Sequence, residues 1–173
     1  SKMMQTIIKC PKPIIAEVAG TATAAGCQLV ASCDLAYASS SAKFATPGVN
    51  IGLFCSTPMV AISRNLSNKH SMEMLLTGEL ISSDKAAKIG LINNVVEANI
   101  LKDFVLDKAK KISKKSSVTL KIGKEAFYKQ LDMKLSDAYD YASKVMVQNM
   151  LKLDAKEGID AFIDKREPNW KDK

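Results

Sequence analysis

The chain has 173 residues, of which 47% are apolar and 6% aromatic, so it has enough material for one sizeable core or for a core with a helical appendage. Its uninterrupted apolar runs fall short of the roughly 20 residues of a membrane span, and the N-terminus SKMMQTIIKC lacks a signal-peptide layout. The net charge is +7, but acids are interspersed with the lysines and no aromatic residues alternate with them, which argues against nucleic-acid binding.

The first part of the chain alternates short apolar runs with helix-compatible sequence. Apolar spacing predicts a helix over residues 1–9, which Pro11 and Pro13 end, and then a strand over 14–18. The elements expected next are a helix at 27–33 with Leu29 and Val30 facing inward, strands at 35–38 and 44–45, a turn at Pro47 and Gly48, and a helix at 59–65. This alternation indicates a core rich in βα units.

From Ser71 onward the pattern is mostly helical. A first helix ends at Gly78, and a second begins at Ser82 or Ser83 and ends at Gly90. A short strand at 91–96 precedes four helices, at 101–115, 118–130, 135–153 and 155–165. In the third of these four, a stripe is expected to be buried because apolar residues recur every three or four positions, at Leu135, Ala138, Ala142 and Val145.

A block of small residues follows the first predicted strand, from Gly20 to Gly26. Small side chains let a ligand approach the backbone, and the first N–H groups of a helix have no partner inside the helix. Such a turn suits an oxygen that gains negative charge, which makes it a possible oxyanion site. Close packing of a strand against a helix explains the same pattern equally simply.

Titratable groups give little support to other catalytic or metal chemistry. The single histidine, His70, lies in a polar stretch where a surface position near a helix N-terminus is expected. The four cysteines form no CxxC pair, so we expect neither a disulfide framework nor a metal site, and the thiols should be reduced. Two isolated carboxylates, Glu17 and Asp34, are expected to have capping or surface roles.

Four segments resemble, in order, the conserved-looking blocks of the crotonase superfamily, the enoyl-CoA hydratase/isomerase family. They are AEVAGTATAAGCQLVASCDLAYAS, KFATPGVNIGL, MLLTGELISSDKAAKIGLINNVV and EGIDAFIDKREPNW. The resemblance implies an α/β fold, a crotonase-like spiral of β-β-α repeats, of which residues 1–98 would be a C-terminal fragment. Residues 99–173 would form a helical region that covers coenzyme A and assembles a homotrimer or a dimer of trimers, in a bacterial cytoplasm or a mitochondrial matrix.

The resemblance also implies a site for an acyl-CoA thioester, with coenzyme A as part of the substrate and no metal or separate cofactor. By position, the backbone N–H of Ala25 matches an oxyanion donor. The family's hydratases use two glutamates, and here their places are taken by Gln28 and Gly48, with Asn50 as a neutral neighbour. Other matching positions for the substrate or for coenzyme A are Ala24, Gly26, Phe54, Phe162, Lys165 and Arg166.

Two hypotheses follow for the function. The first is an enzyme that acts on an acyl-CoA through an enolate held in the oxyanion hole, with a water positioned by Gln28 or Asn50. The second is a non-catalytic acyl-CoA-binding or regulatory homologue that kept the pocket and lost its acid and base, because neither Gln28 nor Gly48 can exchange a proton near neutral pH. A third possibility is that the fragment alone binds nothing.

Overall fold

The structure, a computed structural model, describes residues 1–173. The chain divides into two compact units. The first comprises residues 1–8 and 14–109, and the second comprises residues 9–13 and 110–173. The family resemblance places a boundary between residues 98 and 99, where it separates a core region from a region for oligomerisation and coenzyme A binding. That boundary stays a prediction.

The first unit contains six short strands in two sheets. The strands are β1 (Ile15–Val18), β2 (Ala22–Thr23), β3 (Leu35–Ser39), β4 (Lys43–Ala45), β5 (Ile81–Ser82) and β6 (Asn94–Val96). One sheet has the order β1-β3-β6, with parallel pairs throughout, and the other has the order β2-β4-β5, with β2 parallel and β5 antiparallel to β4. Because β1 to β4 alternate between the two sheets, the chain winds as a spiral.

Helices separate these strands, and some of the helices have the N-cap side chains or C-terminal glycines that the sequence predicts. The helices are α1 (Lys2–Lys9), α2 (Ala25–Ser32), a 3-10 helix (Pro47–Ile51), α3 (Ser56–Ile62), α4 (Asn68–Thr77), α5 (Ser83–Ile89) and α6 (Leu101–Ser113). The Ser82 hydroxyl accepts a hydrogen bond from the Lys85 N–H, as the sequence predicts for an N-cap. Gly78 and Gly90 end α4 and α5 with positive φ, which glycine adopts without strain.

The core of the first unit is built largely from small and aliphatic residues. Phe44 and Ile62 are completely buried, and several alanines, among them Ala38 and Ala42, pack beside them. The small side chains allow sheets and helices to approach closely. A smaller cluster forms where the ring of Phe104 meets the ring of Tyr37 edge to face, with the ring centroids 5.2 Å apart.

The second unit is helical and includes the last residues of the chain. Its helices are α7 (Ser117–Gln130), α8 (Leu135–Met150) and α9 (Leu153–Ile163). The Trp170 indole N–H donates to the Lys114 carbonyl at 2.7 Å. The carboxylate of Asp154, which is 1% exposed, accepts from the backbone N–H groups of Lys171 and Asp172 at 2.7 and 3.1 Å.

Several sequence-based details of the helices are wrong. Helix α2 begins two residues before the predicted start and buries Cys27, Val30 and Ala31, so Leu29 lies on its exposed side instead of facing inward. Helix α3 covers 56–62 rather than 59–65, and the two-residue strands β2 and β5 were not predicted.

The prediction of a buried apolar stripe on α8 is also wrong within the single chain. Leu135 is 75% exposed and Ala142 is exposed, whereas Ala138 and Val145 are only half-buried. Helix α8 packs against α7 and α9 within its unit, which leaves much of its apolar surface in contact with solvent.

The Glu157–Arg166 ion pair predicts a pH dependence. Hydrogen bonds from the Arg166 guanidinium and from the Asn169 N–H lower the pKa of Glu157 to about 2 from an ordinary value of 4.5. A carboxylate whose pKa is lower in the folded state contributes stability above its ordinary pKa, and this stability is lost as the pH falls toward the folded-state pKa.

Between pH 4.5 and 2, the thermal unfolding midpoint of the wild type should therefore fall more steeply than that of Glu157→Gln. The exposed Glu125 supplies the control Glu125→Gln, which should keep the wild-type slope. Equal slopes for the wild type and Glu157→Gln would contradict this prediction.

Candidate functional site

The turn between β2 and α2 is held against strand β4. Thr23 is the parallel neighbour of Ala45, and the next residue, Ala24, donates its N–H to the Ala45 carbonyl at 3.0 Å. The Ala24 carbonyl then accepts from the Gln28 N–H at 3.0 Å, which is the first hydrogen bond of the helix. The sheet and the helix together fix the direction of the backbone at Ala24.

Ala24 has an unusual backbone conformation, with φ 46° and ψ −112°. A positive φ brings the Cβ of an L-residue close to the backbone, at a cost on the order of 1–2 kcal/mol. Alanine carries the smallest side chain that incurs this cost. The sequence alone did not reveal this strain, because it depends on the hydrogen bond to Ala45.

The amide that follows this strained residue is accessible. Ala25 is the first residue of α2 and is exposed, and no acceptor in the chain bonds its N–H. Gly26 comes next and is half-buried. An unpaired N–H at a helix N-terminus is suited to an oxygen that carries partial negative charge.

A cleft of about 510 Å³ lies beside the turn. Strand β1, the Gly20–Ala22 segment and the outer side of α2, including Gly26 and Leu29, line it. Glu17 is the one charged residue of this lining, and most of the remaining surface is apolar. The cleft can therefore accept an apolar group beside Ala22 and Gly26, which flank the turn, whereas Ala24 and Ala25 themselves are not part of its lining.

The two neutral amide side chains that the sequence analysis places in the site lie on different elements. Gln28 is on α2 and only 7% exposed, whereas Asn50 is on the 3-10 helix and exposed. The Oδ1 atom of Asn50 points at the end of α4, 3.1 Å from the position that a Cβ on Gly78 would take. The two amides are not hydrogen bonded to each other, and neither side chain can act as a base.

The position matched to the second family glutamate has no room for a side chain. A Cβ built on Gly48 would lie 2.8 Å from the Leu53 carbonyl oxygen and 2.9 Å from the Cys55 sulfur. Both distances are shorter than real Cβ contacts. This crowding was not evident from the sequence, where Gly48 reads as an ordinary turn residue after Pro47.

Burial makes the thiol next to Gln28 unreactive. Cys27 is fully buried, and burial, together with the nearby Cys55, raises its pKa to about 12. All four cysteines are free. A thiol with such a pKa stays protonated at neutral pH and is a poor nucleophile.

The residues matched to the coenzyme A end of the substrate differ in exposure and in ion pairing. Phe162 is 86% exposed, and Lys165 follows with a positive φ of 54°. Arg166 is already paired, because its guanidinium donates to Glu157 at 2.7 and 3.1 Å and lies 3.5 Å from Asp164. Phe54, in the other unit, is partly exposed in the loop before α3.

The remaining candidate groups do not form a further site. His70 lies in the first turn of α4, where its backbone N–H is capped by Ser67, and its Nδ1 is 3.7 Å from Glu73. The Asp34 carboxylate accepts from the Ile14 N–H at 2.7 Å, which joins the segment after α2 to the start of β1 and is not a helix cap. No group of three or more potential ligands could hold a metal ion, and none of the helices combines the length and apolar character that crossing a membrane requires.

The family model and the similar sequences point to the same family. The chain matches the family described as "Enoyl-CoA hydratase/isomerase" over residues 1–173. It is 53% identical to enoyl-CoA hydratase domain-containing protein 3, mitochondrial, of Rattus norvegicus, with 98% of this chain and 57% of that protein covered. The Homo sapiens protein of the same name is 50% identical, with 98% and 56% covered. The chain thus spans less than two thirds of the length of these relatives.

Solved structures show the same fold. The crystal structure of human enoyl Coenzyme A hydratase domain-containing protein 3 superposes with a TM-score of 0.95 at 50% identity, covering 98% of this chain and 67% of that chain. An enoyl-CoA hydratase of Mycobacterium smegmatis gives a TM-score of 0.94 at 48% identity, covering 96% and 65%. These similarities confirm the predicted crotonase-like α/β fold. The chain belongs to the enoyl-CoA hydratase/isomerase family.

Proposed function

We propose that the protein binds acyl-CoA thioesters and holds the thioester carbonyl oxygen at the backbone N–H of Ala25. The observation that carries this proposal is the exposed, unpaired amide of Ala25, which follows a strained Ala24 fixed to strand β4. Strain of this kind is retained when the surrounding structure holds it in place, and it is common at ligand-binding turns. The family membership supports the same ligand class.

A thioester carbonyl suits this turn for an electrostatic reason. When the α-carbon of an acyl thioester loses a proton, negative charge moves onto the carbonyl oxygen and forms an enolate. A fixed N–H at a helix N-terminus stabilises that charge more than it stabilises the neutral carbonyl. The cleft beside Gly20–Ala22 and Gly26 offers space for an apolar acyl group, and coenzyme A would enter as part of the substrate, without a metal or separate cofactor.

Hydration by two glutamates is not part of this proposal. Gln28 and Gly48 stand where such an enzyme needs an acid and a base, and neither can transfer a proton. The alternative function, a non-catalytic acyl-CoA-binding or regulatory protein, is favoured by this same observation. Gln28 and Asn50 would orient a water or a substrate hydroxyl in the catalytic version.

For the nucleotide end of coenzyme A, Phe162 and Lys165 are the better supported of the proposed contacts. Phe162 offers an exposed aromatic ring to a base, and Lys165 offers a cation to a phosphate. Arg166 would have to leave Glu157 before it could bind a phosphate. Phe54, Ala24 and Gly26 remain proposed contacts near the acyl end.

We also propose that the chain assembles as a homotrimer or a dimer of trimers. The second unit exposes large apolar side chains on α8 and α9 that a protein normally covers, and they include Met146, Val147, Met150, Leu151 and Ile163. The Rattus norvegicus and Homo sapiens relatives are described as mitochondrial, which supports a mitochondrial matrix location, although a bacterial cytoplasm fits the similar Mycobacterium smegmatis structure.

The carbonyl contact predicts a difference between two ligands. Butyryl-CoA has the thioester carbonyl and S-butyl-CoA lacks it, so calorimetric titration should show tighter binding of butyryl-CoA by roughly 3–10-fold, the value of one hydrogen bond. Replacing the Ala25 amide with a backbone ester by semisynthesis deletes the N–H without restricting Ala24, and should remove this difference. The same replacement at Asn68, the first residue of α4, is the matched control. Equal affinities of the unaltered protein for the two ligands would refute the carbonyl contact.

The missing carboxylates predict that crotonyl-CoA is not hydrated efficiently. Each acid–base group contributes roughly 10²–10⁴-fold, so the rate should lie on the order of 10⁴-fold or more below that of a two-glutamate enzyme. The loss of the conjugated enoyl absorbance measures the rate. Butyryl-CoA binding on the same sample establishes that the pocket is formed. A rate within about a hundredfold of such an enzyme would contradict our interpretation of Gln28 and Gly48.

The exposed apolar face of α8 predicts the mass of the assembly. In analytical ultracentrifugation the unaltered protein should sediment as a multiple of three chains of 18.8 kDa. Val147→Glu should shift the mass toward a single chain, because it places a charge in an apolar contact. Lys144→Glu, an exposed polar position on the same helix, should not. A single-chain mass for the unaltered protein would show that this face stays uncovered.

A further inference from the structure

We infer that Cys55 limits what position 48 can carry, because its sulfur, together with the Leu53 carbonyl oxygen, occupies the space that a side chain at position 48 would enter. The inference deepens the proposed function and rests on it for its functional meaning, since position 48 is the place of a family acid. The packing itself is independent of any ligand.

The contact involves both a side chain and the backbone. A Cβ on Gly48 would lie 2.9 Å from the Cys55 Sγ, 3.3 Å from the Cys55 N and 2.8 Å from the Leu53 O. The same glycine accepts a hydrogen bond through its carbonyl from the Leu53 N–H at 2.9 Å. The segment from Gly48 to Leu53 is therefore a closed loop, and Cys55 lies directly against it.

Neither partner of Gly48 can move away easily. The loop turns at Gly52, which has a φ of 76°, and Gly52 donates its N–H to the Val49 carbonyl. On the other side, the Cys55 carbonyl accepts from the Met59 N–H at 2.9 Å and so starts the hydrogen bonding of α3. Displacing Cys55 would disturb the beginning of that helix.

The thiol is also enclosed from the side of α2. Cys55 is 8% exposed, and it is close enough to the fully buried Cys27 to contribute to the raised pKa of that thiol. The Cys55 sulfur thus lies near Gly48 and near Cys27, which precedes Gln28. Position 48 is thus next to Cys55 in space, and position 28 is next to Cys27 in the sequence.

The consequence is that the loss of an acid at position 48 is a property of the loop as a whole. Replacing Gly48 with glutamate would bring a side chain into the sulfur and into a backbone oxygen. A smaller residue at position 55 would relieve the sulfur contact but not the contact with the Leu53 oxygen, so the two positions should be energetically coupled in part.

Stability measurements on the full chain test this coupling. Gly48→Ala should lower the thermal unfolding midpoint by roughly 2–12 °C, the range expected for an overpacked core position in a chain of this size. Cys55→Ala in the same chain should recover part of this loss, whereas Cys55→Ser, which keeps an atom at the sulfur position, should recover less. Gly123→Ala, in helix α7, is a control that should be at least as stable as the wild type, because a Cβ there meets open space and alanine favours the helix.

Alkylation with iodoacetamide, mapped by mass spectrometry, provides a second readout that needs no acyl-CoA. Cys55 should be protected in the wild type and should lose that protection in Gly48→Ala. If Gly48→Ala is as stable as the wild type, or if Cys55→Ala gives no recovery, the inference is wrong. Because neither readout involves a ligand, these outcomes are separate from a failure of acyl-CoA binding.

Discussion

The hydrogen bond from the Ala24 N–H to the Ala45 carbonyl organises the part of the molecule that carries the candidate site. It extends the parallel pairing of β2 with β4 by one residue and holds Ala24 at a positive φ. Helix α2 can then begin at Ala25 with its first amide directed away from the acceptors of the chain. A relaxed Ala24 would change the direction of that amide, so the geometry of the site depends on a contact between two strands.

Around this turn, the proposed charge-stabilising group is a backbone N–H, whereas the groups needed for proton transfer would be side chains. A single oxyanion donor is typically worth 10²–10³ in rate, and positioned acid–base groups are worth a similar or larger factor. In the function proposed above, the donor is the Ala25 backbone N–H, which survives most substitutions because it needs no side chain. The positions proposed for proton transfer depend on side chains, and here they are an amide and a glycine. The proposal therefore combines polarisation of a bound carbonyl with inefficient proton transfer.

The sequence predicted the elements whose signals are local. The Ser82 cap, the glycine ends of α4 and α5, and the order of the longer helices follow from residue types at fixed spacings. The motif resemblance predicted the fold. Strand β2 was missed because two residues show no periodicity, and Leu29 was misplaced because a two-turn helix has an apolar face that can be assigned in more than one way. The strain at Ala24 and the crowding at Gly48 depend on residues distant along the chain or across a loop, so no local pattern could reveal them.

The buried carboxylate of Asp154 has a consequence for the integrity of the second unit. Its oxygens accept hydrogen bonds from the backbone amides of Lys171 and Asp172. Displacing these two amides would leave an enclosed anion without these donors, a situation that costs several kcal/mol. The irregular segment at Lys171 and Asp172 therefore anchors helix α9 as part of the folded unit, although it forms no helix or strand itself.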